Sequence, residues 1–111
     1  IITIFQPHRY SRTKMLGTQL GEAFIRADKV IITDIYPAGE KPLPGVSGRM
    51  VYEAAVNAGC DAEYLSSFPM IEEYILNSLR DNDLLLTMGA GDIWKLGISI
   101  LEKLHKNKVE A

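Results

Sequence analysis

The 111-residue sequence contains a single cysteine, Cys60. An internal disulfide and a cysteine-built metal centre are therefore excluded, and a reducing cytoplasm is the compartment that suits such a chain. Cys60 follows Gly59 at an expected helix end with no histidine close in sequence, so it is assigned no nucleophilic role. A basic excess is also missing: the formal net charge is −2, which argues against a nucleic-acid-binding domain. No apolar run approaches the ~18 residues of a membrane span, and no signal peptide is recognisable. Signatures that carry their own chemistry are absent as well. There is no G-x-x-x-x-G-K-[ST] phosphate loop, no H-E-x-x-H, no Cys/His spacing suited to zinc and no G-x-S-x-G elbow. No acidic residue precedes Glu22, which leaves Arg9, Arg12 and Lys14 without an acidic partner close in sequence.

What is present is a globular composition, 47% hydrophobic and 23% charged, sufficient to bury one core without staples. A start at Ile1 rather than Met suggests a piece of a longer polypeptide. Ile1, Ile2 and Ile4 predict a β-branched strand that Pro7 stops. Leu16, Leu20 and Phe24 recur at helical spacing and predict a helix over 11–26, in which Gly17 and Gly21 allow close approach to a sheet. Residues 29–35 form a second strand whose near-continuous apolar run suits a parallel sheet covered on both faces. The segment 36–45 holds three prolines and two glycines and is a long, stiff loop. Ser47 is the expected N-cap of a helix over 48–58. A short strand over 61–65 follows, then a helix begun by Ser67, Phe68 and Pro69. Residues 84–88 predict a fourth buried strand, and the last helix opens near Asp92 with Ile93, Gly97, Ile100 or Leu101, and Leu104 on one face.

This β-α-β-α-β-α-β-α order calls for an α/β fold, a Rossmann-like parallel sheet of about four strands in the order 3-2-1-4 with helices on both faces. In that order the loops after strands 1 and 4 meet at the crevice where the strand order reverses, and the loop after strand 2 flanks them. The first loop carries His8, Arg9 and Arg12 ahead of a helix N-terminus, an arrangement suited to an anion. The last carries Gly89, Ala90 and Gly91, whose missing Cβ atoms would let backbone N–H groups approach a ligand. As a dinucleotide fingerprint this loop is weak, because Trp94 stands where a third glycine is needed. Trp94 is expected to pack beneath the loop, and Asp92 to cap the final helix. The result is an anion-binding edge with no engine of its own, as in a domain that supplies one substrate site to an enzyme whose chemistry lies elsewhere.

Three segments add a family resemblance. Phe5-Gln6-Pro7-His8-Arg9-Tyr10-Ser11-Arg12-Thr13 closely resembles the F-Q-P-H-R-[FY]-[ST]-R-[TL] segment of the Mur ligases. Asp34-Ile35-Tyr36-Pro37-Ala38-Gly39-Glu40, with Pro44-Gly45-Val46, is similar to [DE]-[IV]-Y-x-A-G-E…P-G of the branch that joins L-alanine to UDP-N-acetylmuramate. Met88-Gly89-Ala90-Gly91-Asp92-Ile93 resembles its x-G-A-G-[ND]-I segment. The resemblance implies that residues 1–111 are the C-terminal, amino-acid-binding domain of a three-domain ligase. That ligase works in the bacterial cytoplasm in peptidoglycan-precursor synthesis, and so in cell-wall biogenesis, cell shape and cell division. It further implies that ATP activates the muramyl carboxylate as an acyl phosphate that the amino-acid amine attacks. ATP and Mg2+ would be bound mainly outside this segment, in the central domain, and the UDP-sugar mainly in the N-terminal one, with no metal held here. Carried over by motif, His8, Arg9 and Arg12 would meet L-alanine and the reacting centre, Arg12 taking its carboxylate. Tyr36, Gly89, Ala90, Gly91 and Asp92 would complete the pocket. No residue is assigned a catalytic role, and a structural His8 is preferred to a proton-transferring one. Three readings remain open beside this one: the recycling ligase that adds a peptide, which differs at the first segment; a free-standing Rossmann-like module for a nucleotide or phosphate; and an interaction domain using the proline-rich loop.

Overall fold

The structure, a computed structural model, describes residues 1–16, 24 and 26–110, with side chains through residue 106. Strands β1 (Ile2–Phe5), β2 (Lys29–Ile32), β3 (Ala62–Tyr64) and β4 (Leu85–Met88) form one sheet in the order β3-β2-β1-β4. All three pairings are parallel, with Ile2 opposite Lys29 on one side and Leu85 on the other. This is the order that alternation of strands and helices predicts. Helices α1 (Tyr10–Leu16), α2 (Gly48–Asn57), α3 (Phe68–Ser78) and α4 (Ile93–Glu110) connect and follow the strands. The expected extension of α1 through Gly17, Leu20 and Gly21 lies outside the described residues.

Because successive strand residues face opposite ways, the run Val30-Ile31-Ile32 serves two cores. Ile31 and Ile4 pack with Ile71 and Ile75 of α3 and with Ile93, Leu96 and Ile100 of α4. Val30 and Ile32 pack with Val51 of α2 and with Phe24 on the other face. Helices therefore cover both faces of the β1–β2 centre. At the amino end of α2, Gly48 runs so close to the end of β2 that a Cβ there would stand 2.1 Å from the Thr33 carbonyl oxygen. On the other side of the sheet, α3 and α4 are joined through Glu72, which accepts from Lys103 Nζ at 2.9 Å and from Ser99 Oγ at 2.8 Å. The Lys103 ammonium, with the Ser99 hydroxyl, holds the Glu72 carboxyl below the usual carboxylate range.

Two expectations are corrected. The strand expected over 84–88 is not buried: Leu84, just before β4, is 52% exposed, and Leu86 and Met88 within β4 are 39% and 45% exposed. Among the described residues, it is its other side that meets a helix, where Leu85 joins the α3–α4 core and Gly97 of α4 lies over Thr87. An apolar run signals a doubly covered strand only where the strand has neighbours on both sides, and β4 is at the sheet edge. Trp94 does not pack beneath the glycine loop but is 57% exposed, its ring 5.7 Å from Lys95 Nζ. The sheet-facing positions of α4 belong to Ile93, Leu96 and Ile100, and Trp94 is turned about 100° from Ile93. No described helix is long and apolar enough to cross a membrane.

Candidate functional site

The carboxyl ends of β1, β2 and β4 carry three loops that are tied together by backbone and side chain. The Gln6 N–H donates to the Met88 carbonyl at 2.9 Å, so β1 and β4 stay paired past the strand end. Pro7 then stops β1 and is fully buried. Its carbonyl accepts from Tyr36 N–H at 2.8 Å, and Arg9 N–H donates to the Tyr36 carbonyl at 2.8 Å. This reciprocal pair zips the first loop to the second and brings His8 opposite Tyr36, their rings stacked 5.7 Å apart at 15°. The Tyr36 ring also covers Gly91, where a Cβ would meet Cγ at 2.4 Å. The open space at Gly91 is thus filled by an aromatic ring from the neighbouring loop. At the root of that second loop, Asp34 accepts from the Tyr64 hydroxyl. Burial, then that hydrogen bond, push the Tyr64 phenol up to about 12.

Arg9 adopts a left-handed backbone, φ 65°, a conformation that costs a non-glycine residue about 1–3 kcal/mol. It is held there by its N–H bond to Tyr36 and by its carbonyl, which accepts from Thr13 N–H at 3.1 Å and Thr13 Oγ1 at 2.8 Å. The turn starts α1 and separates the two arginines. Arg9 is exposed on the Glu40 side, whereas Arg12, also exposed, lines a cavity of about 180 Å³ beneath α1. The apolar wall of this cavity is Phe5, Pro7 and Leu16; His8, Thr13 and Gln6 complete the near side, and Gly89 and Ala90 close the far side. His8 Nδ1 is buried, with no hydrogen-bond partner among the described residues. Arg12 makes no ion pair among the described residues. A larger, shallower depression of about 430 Å³ lies between α3 and α4, but its lysine, Lys103, is already held by Glu72.

The eight residues singled out in the sequence therefore divide. His8, Arg12, Gly89 and Ala90 line the cavity; Arg9, Tyr36, Gly91 and Asp92 stand around it without lining it. Two residues that shape the site are visible only in three dimensions. Glu40, at the end of the Tyr36–Glu40 motif, accepts from Ser11 N–H at 3.1 Å and from Ser11 Oγ at 2.6 Å. It occupies the first turn of α1, so the positive end of that helix is already satisfied, and it supplies the acidic neighbour that Arg9 lacks in sequence. The Ser11 hydroxyl, then its amide, with Arg9 nearby, hold the Glu40 carboxyl below the usual range. Gln6, 5% exposed, donates from Nε2 to Asp92 Oδ1 at 2.8 Å and accepts at Oε1 from Ile93 N–H at 3.2 Å. Gln6, rather than Asp92, is the side chain that caps α4.

The comparison with known proteins follows these motifs. No family model matches the chain. Over 107 residues it is 54% identical to the UDP-N-acetylmuramate–L-alanine ligase of Syntrophomonas wolfei, an alignment covering 96% of the chain and 23% of the relative. It is 47% identical over 109 residues to the same-named enzyme of Pelotomaculum thermopropionicum, covering 97% of the chain and 24% of the relative. The chain is homologous to one segment of the UDP-N-acetylmuramate–L-alanine ligases. In structure it resembles the UDP-N-acetylmuramate–alanine ligase of Thermotoga maritima, with a TM-score of 0.74 and 26% identity over 96% of the chain and 20% of that protein. The chain thus spans about a quarter of the length of the curated ligases it matches, and the alignments with those relatives run through all three loops of the crevice.

Proposed function

We propose that this chain is the C-terminal, amino-acid-binding domain of an ATP-dependent, cytoplasmic UDP-N-acetylmuramate–L-alanine ligase, and that the cavity beneath α1 receives L-alanine. The observation that carries the reading is Arg12, a guanidinium with no ion pair among the described residues, on the wall of a cavity of about 180 Å³. A cavity of about 150 Å³ accommodates benzene, and L-alanine has the same number of heavy atoms. Arg12 offers the planar two-pronged donor that a carboxylate matches, a pairing worth about 1.5–3 kcal/mol. His8 lines the same wall beside it. The small residues Gly89 and Ala90 keep the opposite wall close. Tyr36, Gly91 and Arg9 act from behind by fixing the loops.

In this reading the domain positions one reactant. Holding the amine against an acyl phosphate converts a bimolecular encounter into an effectively unimolecular one, and the cationic edge offsets charge that builds on phosphate and tetrahedral oxygen. On this reading ATP and Mg2+ are bound mainly by the rest of the polypeptide, in keeping with a sequence that has no phosphate loop. The family resemblance implies that UDP-N-acetylmuramate is held mainly by the N-terminal domain. The exposed apolar side of β4 suits a domain that packs against further polypeptide. Of the readings open from sequence, the named relatives favour the alanine ligase over the peptide-adding one and over a free-standing module. The test is phosphate release by the polypeptide that carries this chain, with UDP-N-acetylmuramate and ATP. Turnover that depends on L-alanine supports the proposal, and turnover only with a peptide, or none, refutes it.

A further inference from the structure

We infer that Gln6 is a positioning residue for the amino-acid cavity. Its buried amide locks the His8–Arg12 loop to the first turn of α4 and so sets the gap between the two walls. The inference rests on the function proposed above. Gln6 has three bonds to the opposite side: backbone N–H to Met88, Nε2 to Asp92 and Oε1 to Ile93 N–H. Its own carbonyl oxygen and Cβ lie 3.1 and 3.2 Å from where a Cβ of Gly89 would be. Every residue from Met88 to Ile93 that it touches belongs to the segment carrying the Gly89–Ala90 wall. On its own side it is two residues from His8. The bridge needs one planar group that donates and accepts at once, which an amide provides and a carboxylate or an alkyl chain does not.

A helix cap alone would affect stability and leave substrate affinities unchanged. A positioning role acts on the amino acid selectively, since small displacements of a binding wall are costly to a reaction that depends on orientation. In the purified polypeptide that carries this chain, Gln6→Glu faces the Asp92 carboxylate with a second one and removes the donor. The expected result is a rise of roughly 10-fold or more in KM for L-alanine, with KM for UDP-N-acetylmuramate and ATP changed less than about twofold. Adding Asp92→Asn exchanges donor and acceptor, restores the bond, and should return the alanine KM most of the way. If Gln6→Glu does not fold, Gln6→Met, similar in length but without either bond, takes the same measurement. An unchanged alanine KM, an equal rise for all three substrates, or failure of the double variant to rescue overturns the inference while leaving the proposed function standing. Absence of alanine-dependent turnover in the unaltered protein overturns both.

Discussion

The ring of Tyr36 lies against Gly91 so closely that a single methyl group on residue 91 would stand 2.4, 2.6 and 2.8 Å from its carbons. The same ring stacks on His8. One aromatic side chain from the loop after β2 thus joins the loops after β1 and β4. Tyr36 and Gly91 help hold the cavity walls in register without lining them.

Gly91→Ala should therefore push Tyr36 away and loosen His8. Overpacking of this kind costs about 1–3 kcal/mol, to be read as a fall in denaturant midpoint at constant slope. In a Tyr36→Ala background the same substitution should cost much less, because the clash is gone. Equal costs in the two backgrounds would show that the contact does not constrain the loops.

At Gly48 a Cβ would stand 2.1 Å from the Thr33 carbonyl oxygen, a backbone atom that cannot swing aside. Gly48→Ala should destabilise by about 3 kcal/mol or more. The amino end of α2 would have to lift from the end of β2, and thermal unfolding would show a lowered Tm.

Acid should release the latch between Glu40 and Ser11. The folded Glu40 carboxyl is held below its ordinary value by the Ser11 hydroxyl and amide. Its contribution is therefore present above the unfolded glutamate pKa and is lost as pH falls through the lower folded value. The Ser11 amide resonance should titrate with a midpoint below that of an unperturbed glutamate. Glu40→Gln should abolish that titration, and a midpoint at or above the ordinary value would contradict the latch.

Much of this arrangement is legible in the sequence, for identifiable reasons. Alternating apolar and amphipathic segments, with turn residues at each boundary, predict the order β3-β2-β1-β4, and that order alone brings His8 and Arg12 opposite Gly89 and Ala90. Long-range side-chain partnerships are another matter. Gln6 meets Asp92 across a separation of 86 residues, and Glu40 meets Ser11 across 29; neither pairing leaves a periodic trace. Gly91 reads as bare backbone for a ligand until Tyr36 is seen lying on it. The exposure of β4 depends on its place at the sheet edge, and that of Trp94 on which face of α4 turns to the sheet. An apolar or aromatic residue type carries neither fact.

The central claim is that Arg12 receives the carboxylate of L-alanine. Its most direct test is the steady-state KM for L-alanine of the Arg12→Lys variant of the full polypeptide, measured beside the KM for UDP-N-acetylmuramate. Lysine keeps the charge but loses the two-pronged donor, so the account predicts a rise of roughly 10-fold or more for L-alanine, equivalent to about 1.4 kcal/mol, and less than about twofold for the UDP-sugar. Parallel changes in both constants, or none in that for alanine, would contradict it.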